Sequence, residues 1–271
     1  MKTKLLLSAV TALLAGVSAA SAADLAARPY TKAPPAPMVA IYNWTGFYIG
    51  GNVGYGWGDE SVGLGPTNNA ASIAFFNGTF PAFIPNSVKP DANGILGGGQ
   101  IGYNWQAGSF VYGLEADIQA SDVKGTVNTS VLPGPIVSST SQRLDWFGTV
   151  RGRAGVAAGN TLLLYVTGGL AYGSVNHQFS ASNNAGSFNT TNATSTNAGW
   201  TAGAGLEWAF APQWSIKGEY LYVDLGNRTY STIPSGTTPA GASIDSSFRD
   251  KFSVARVGVN FKFGGPVVAK Y

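Results

Sequence analysis

Glu115 and Asp117 stand two residues apart, as do Arg151 and Arg153, Arg143 and Asp145, and Lys217 and Glu219. Together with Glu207, Arg256 and Lys262 these are the side chains through which the chain could do chemistry. Residues at i and i+2 share a face only in an extended chain, so each pair reads as a strand turning its charges one way. Acids and bases gathered on one face can form a buried ion-pair network. They can also line a narrow ion-conducting path, here between Glu115 or Glu219 and Arg151 or Lys217. Hydrolysis has less to work with, because a nucleophile needs an adjacent base, usually His. The only histidine, His177, falls in a stretch rich in Ser, Asn and Gly, where a solvated polar role is expected. As a haem-iron ligand it has no companion ligand nearby. The chain has no cysteine, which removes disulfides and thiolate metal sites. No catalytic residue, metal site or cofactor is assigned.

The elements that carry these charges alternate with a period of two. In TGFYIGGNVGYGW, Phe47, Ile49, Val53, Tyr55 and Trp57 share one face, while Tyr48, Asn52 and glycines share the other. Seven further segments repeat the pattern: 95–105, 110–121, 143–156, 162–174, 199–210, 214–224 and 253–263. Parity sends Tyr112, Leu114 and Ile118 outward against Glu115, Asp117 and Gln119. It sends Leu144, Trp146 and Val150 outward against Arg143, Asp145, Arg151 and Arg153. The fold class read from this is all-β, an eight-stranded antiparallel up-and-down transmembrane β-barrel. Such a barrel is only wide enough for side chains to fill its interior, so the inward charges are expected to form a polar network in the lumen.

Three regularities support that reading. A Lys or Arg on the lipid face at mid-membrane costs about 2–4 kcal/mol, and within these segments only Asp224, at a strand end, has outward parity. Trp44, Trp105, Trp208, Trp214 and Phe263 fall at one set of strand ends and Trp57, Trp146 and Trp200 at the other, as two interfacial aromatic girdles require. Connections alternate between a few residues, around Gly108, Asn160 and Pro212, and stretches of roughly 20 to 36 residues. Short turns face the periplasm in such barrels, which puts both termini there.

Domain organisation follows. MKTKLLLSAVTALLAGVSAASA has the order of a secretory signal peptide over 1–22, with cleavage expected between Ala22 and Ala23. Residues 23–43 are a proline-rich periplasmic segment, 44–263 the barrel and 264–271 a short tail. Export through a cleaved signal peptide to the outer membrane is the expected route. Loss of Lys2 and Lys4 lowers the formal net charge from +3 to +1, and no basic run marks a nucleic-acid partner. In the first long connection, residues 58–93, the stretch ASIAFFNGTFPAFIPNSV (71–88) has Asn77-Gly78 between aromatics. That pair signals a hairpin whose flanks are too short to span a membrane. Its apolar content makes 58–93 a candidate surface-ligand segment.

The strings WTGFYIGGNVGYGWG (44–58), LLYVTGGLAYG (163–173), GWTAGAGLEWAF (199–210), WSIKGEYLYVDLG (214–226) and ARVGVNFKF (255–263), with the ADL…YTKAPPAP lead-in, carry a resemblance. They closely resemble the small outer-membrane immunogenic proteins of alphaproteobacteria, within the outer-membrane β-barrel domain family that includes OmpA/OmpX-type barrels. The resemblance implies a Gram-negative surface antigen with a structural, envelope-integrity role. Its alternatives are a narrow porin or a small-ligand, for example haemin, binder. It implies no catalytic residues, and as partners it implies outer-membrane lipid, periplasmic chaperones and the barrel-assembly machinery. Assembly signals in such barrels end on an aromatic residue. Here Phe263 is followed by GGPVVAKY, so both Phe263 and Tyr271 are candidates.

Overall fold

Alternating side chains and tight turns let the chain zip into neighbouring antiparallel strands, and the computed structural model shows how far that zipping goes. The structure describes residues 42–59, 61–79, 87–131, 136–183, 186–232 and 242–264. The signal peptide, nearly all of the proline-rich segment and the tail from residue 265 lie outside these. The strands are β1 (Gly46–Asp59), β2 (Val62–Pro66), β3 (Ser87–Val88), β4 (Asp91–Ala107), β5 (Phe110–Val131), β6 (Ile136–Ala158), β7 (Leu162–Asn183), β8 (Gly186–Ala211), β9 (Trp214–Thr232) and β10 (Ile244–Lys262), with helix α1 (Ala70–Thr79) between β2 and β3.

The antiparallel order β1-β4-β5-β6-β7-β8-β9-β10 closes through β1–β10 into a ring of eight strands. Tyr48↔Lys262 to Trp57↔Ser253 forms the closing seam. β2 pairs with the start of β10 and carries β3 on its other edge. One rim, the turn end, holds the tight connections Ala107↔Phe110, Ala158↔Leu162 and Ala211↔Trp214. Gly108 (φ 62°) and Gly159 (φ 68°) sit there in the left-handed region, which a residue with a Cβ adopts at a cost. The other rim is the hairpin end.

Much of what reads as long loop is strand. β5 and β6 continue ten residues or so beyond the membrane segments, and β7 and β8 do likewise. In the first connection the structure has a helix where the Asn77-Gly78 signal predicts a hairpin turn. Asn69 caps this helix: its Oδ1 accepts the Ser72 N–H at 2.7 Å and its carbonyl accepts the Ile73 N–H at 3.0 Å. That cap, ahead of an alanine-rich turn, outweighs the Asn-Gly signal.

Two bulges redirect side chains at the hairpin side of the ring. On β6 the pairing with β7 jumps from Trp146↔Ser174 to Leu144↔Val175, leaving Asp145 as the extra residue. On β9 the pairing jumps from Lys251↔Asp224 to Arg249↔Asn227, with Gly226 at φ 87°. An extra residue reverses inside and outside beyond it. The consequence corrects the parity reading of Arg143, Asp145 and Leu144. Arg143 and Asp145 lie on the outer face, joined to each other at 3.1 Å, and Leu144 is buried inside. Asp224, the outward exception, pairs at 3.0 Å with Lys251 on the outer face.

Candidate functional site: the barrel lumen

The lumen is a stack of layers, each set by the inward parity of several strands. At the turn end, Trp44, Val111, Leu163, Tyr165 and Ala209 form an apolar floor, with Tyr42 and Ala157 packed against it. Trp44 is therefore not a girdle residue. It is 2% exposed, because the chain before β1 folds across the opening. The Trp44 N–H donates to Gln106 Oε1 at 2.7 Å and the Tyr42 N–H to the Asn160 carbonyl at 2.9 Å. Lys262, expected inside, lies at this rim with Nζ over the Tyr42 ring at 4.2 Å and bonded to the Asn43 carbonyl.

Above the floor sits the ionic layer. Four carboxylates, Glu115, Asp117, Glu207 and Glu219, meet four cations, Arg151, Arg153, Lys217 and Arg256, all buried. Glu115 is the hub. Its carboxylate bonds to Arg151, accepts from Lys217 Nζ at 2.8 and 2.9 Å, and lies 3.6 Å from both Arg153 and Arg256. Arg151 also reaches Asp117 and Glu219, each at 3.0 Å. Arg256 reaches Asp117 at 2.9 Å and Glu219 at 2.6 Å, and Arg153 reaches Glu207 at 2.7 Å. Charge balance and multiple hydrogen bonds per carboxylate are what permit ions to be buried.

Two tyrosines complete the layer. Tyr48 Oη donates to Glu115 at 2.7 Å, and Tyr165 Oη donates to Glu219 at 3.1 Å. The Arg153 guanidinium lies 4.2 Å from the centre of the Tyr165 ring. Gly102 and Gly205 leave the space these rings occupy: a Cβ on either would collide with the Tyr48 or Tyr165 ring tip. Replacing Tyr48 with Phe is expected to cost about 1–3 kcal/mol, since a buried carboxylate loses a donor that nothing replaces. Urea unfolding of the folded barrel in vesicles, followed by tryptophan fluorescence, measures it.

Directly above the ions lies a second apolar layer that includes Leu96, Val123, Leu144, Phe147, Val175, Leu221, Val223, Phe252 and Val254. Phe147 and Phe252 meet edge to face across it, 5.3 Å between centroids. A small gap lined by Gly58, Ala92, Val123, Gln142, Leu144, Val175, Asp250 and Phe252 has room for about one water molecule.

His177 occupies the next level, and its expected solvated role is corrected. It lies on β7, fully buried, with its ring 4.3 Å from Phe248 and 5.8 Å from Tyr230. Its Nε2 faces Asp250 at 3.4 Å, and Asp250 accepts from Gln142 at 2.8 Å and Asn197 at 2.7 Å. The signal was present as Val175-x-His177-x-Phe179, an inward-facing alternation inside a polar stretch. A last apolar layer of Val62, Leu64, Val88, Phe179 and Phe248 covers this level. Val62, Leu64 and Val88 of the 58–93 connection thus point into the barrel, while residues 80–86 of its apolar stretch lie outside the described residues. Among the described residues no group of three or more His, Cys, Asp or Glu could hold a metal ion.

The outer face is apolar and belted. Trp105 packs with Tyr103, Trp208 with Phe210, Trp214 with Phe261, and Phe263 with Phe47 and Phe261 toward the turn end. Trp57 packs with Tyr55 and Tyr220, Trp146 with Tyr172, and Trp200 with Tyr222 toward the hairpin end. From Trp200 to Trp208 the tilted strand rises about 20 Å, close to the roughly 25 Å apolar band of such barrels. Val53, Leu114, Ile118, Val166 and Leu170 lie between the belts and are more than half exposed.

The family and sequence comparisons agree with this architecture. The sequence matches the outer membrane protein β-barrel domain over residues 9–263. It is 35% identical over 269 residues to the 31 kDa outer-membrane immunogenic protein of Brucella melitensis, covering 95% of this chain and 98% of that one. It is 32% identical over 235 residues to a 22 kDa outer membrane protein of Rhizobium leguminosarum, covering 85% and 83%. Among solved structures, the outer membrane protein OprG of Pseudomonas aeruginosa aligns with a TM-score of 0.48 at 13% identity, over 83% of this chain and 99% of that one. An alternating wall closed on itself, belted by aromatics and matched along nearly its whole length, places the chain in the outer membrane protein β-barrel domain family.

Proposed function

We propose that this protein is a closed, non-catalytic barrel of the outer membrane that contributes to envelope integrity and presents its hairpin end as a surface antigen. The observation that carries the reading is the layered lumen: ions bracketed by Trp44 and its neighbours below and by Phe147 and Phe252 above. An ion crossing this stack would have to shed water against two apolar layers, which opposes conduction. In this reading the turn end faces the periplasm, as short turns do in such barrels, export uses a cleaved signal peptide, and assembly uses periplasmic chaperones and the barrel-assembly machinery. The names of the Brucella relatives support surface presentation. His177 is enclosed by Phe248, Tyr230 and Asp250, a packed setting that supports a structural role for it.

Planar-bilayer recording on protein whose heat-modifiable gel mobility proves folding tests the closed lumen. The expected trace shows no channels above the lipid background. Reproducible unitary openings would overturn the reading in favour of a narrow porin.

A further inference from the structure

Asp250 is buried between two apolar layers, and the side chains that bond to it are the neutral amides of Gln142 and Asn197, at 2.8 and 2.7 Å. A carboxylate so enclosed needs a positive charge or a coordinated metal beside it. Arg228 on β9 stops one residue short, its Nε donating to Asn197 Oδ1 at 2.9 Å. Lys251, next in sequence, lies on the outer face with Asp224. Tyr230 turns its ring to His177 and its hydroxyl to Ser195. The group that faces the carboxylate directly is His177 on β7, with Nε2 3.4 Å from Asp250 Oδ1.

That separation is long for a hydrogen bond, which spans about 2.7–3.2 Å from N to O. It suits a shared ion. Two ligands each about 2.0–2.1 Å from a zinc-like centre, and set at a tetrahedral angle, stand about 3.3–3.4 Å apart. A second observation concerns Gln142, the register partner of His177 on β6. Its Oε1 and both ring nitrogens of His177 are buried with no hydrogen-bond partner among the described residues. The small gap with room for about one water is lined by both Gln142 and Asp250. An imidazole nitrogen, a carboxylate oxygen, an amide oxygen and space for a water thus meet at one level, the donor types and number of a four-coordinate divalent ion. Only two of these donors are His or Asp, fewer than a ready-made metal cluster has. Asn197, itself held by Arg228, fixes the carboxylate from behind, as outer hydrogen bonds fix metal-bound carboxylates.

We propose that His177 and Asp250 form a binding site for one divalent ion of the zinc class, completed by Gln142 and a water. The ion neutralises Asp250 and ties β7 to β10 across the lumen. It does so where the β9–β10 ladder is interrupted, between Arg249 and Lys251. Apolar layers on both sides bury the site, so loading accompanies folding. The inference is independent of whether the lumen conducts.

The test uses untagged mature protein folded into detergent micelles with zinc chloride, with cobalt chloride or with EDTA. Heat-modifiable mobility identifies the folded fraction, and gel filtration removes loose metal. The chain has one histidine and no cysteine, so an imidazole-bound metal in this protein can only be at His177. Wild type is expected to retain about one zinc per chain, and the cobalt protein to show the intense visible absorption of a tetrahedral centre. Zinc should raise the temperature at which heat-modifiable mobility is lost by several degrees over EDTA. His177→Gln and Asp250→Asn should each retain less than a tenth of the wild-type metal and show equal midpoints in zinc and EDTA. Nitrogen-15 NMR of the single imidazole reads its state directly, with a metal-bound Nε2 expected in zinc. A wild-type ring that stays neutral or merely protonated in zinc, or metal retained by both variants, would overturn the proposal. Should neither variant fold, the wild-type metal content and imidazole spectrum still decide it.

Discussion

Replacing Glu115 with alanine is expected to destabilise the barrel by about 3–5 kcal/mol, or to prevent recovery of a heat-modifiable species altogether. The physical reason is asymmetry. Glu115 lies within bonding or near-bonding distance of Arg151, Lys217, Arg153 and Arg256, so its loss leaves buried cations facing one another with too few anions. The remaining acids, Asp117, Glu207 and Glu219, already have cation partners. Removing a charge on each side should do less harm than removing one. Glu115→Ala combined with Lys217→Met is therefore expected to recover part of the loss in a double-mutant cycle. Urea midpoints of vesicle-folded protein, read by tryptophan fluorescence, supply all four corners. If Glu115→Ala unfolds at the wild-type midpoint, the ionic layer is not a mutually dependent unit.

The second large effect lies one layer higher. Leu144→Asp is expected to cost about 4 kcal/mol or more, because the carboxylate would enter the layer of Phe147, Val175, Leu221 and Phe252. Arg143→Leu, one residue away, should change stability by no more than about 0.5 kcal/mol, since its side chain is mostly exposed on the outer face. Parity counted straight through Asp145 demands the opposite ranking. Unfolding midpoints of the two variants thus decide whether the bulge at Asp145 has redirected the strand. A near-neutral Leu144→Asp would restore the unbroken alternation.

That comparison shows where sequence reasoning works in this chain and where it stops. Alternation was legible in the membrane segments because lipid and lumen demand opposite chemistries, so Leu114 and Glu115 or Leu206 and Glu207 can face only one way each. The lumen acids and bases Glu115, Asp117, Arg151, Arg153, Glu207, Lys217, Glu219 and Arg256 could be placed on that basis, whereas Arg143 and Asp145 could not. Past the girdle both faces tolerate polar residues, and the contrast fades. Strands there read as loops, and His177 looked solvated although Val175 and Phe179 flank it in step. Asp145 gives no sign of a bulge in its side-chain type, whereas Gly226 in the middle of a strand did carry one. Trp44 was assigned to a girdle because tryptophans usually sit there. It is instead held inside by its N–H bond to Gln106 Oε1 and by the neighbouring Thr45 hydroxyl, which accepts the Gln106 N–H, contacts that no local pattern announces. The helix at Ala70 was missed because Asn77-Gly78 is the louder short-range signal and the Asn69 cap the quieter one.

The distribution of charge among the strands has a consequence for how the ring can close. The inward positions of β1 in the ionic region are Tyr48, Gly50, Asn52 and Gly54, none of them charged, and a Cβ on Gly50 or Gly54 would collide with Asn260 or Arg256 of β10. β4 adds Gln100 and Asn104, again without charge. Each acid and base of the buried layer belongs to β5, β6, β8, β9 or β10. An open, curled sheet from β5 to β10 therefore already contains its full complement of neutralising partners. The hairpin of β1 and β4 can then be laid on last as a smooth stave, with no ion to carry past the seam and no bare charge waiting at the edge.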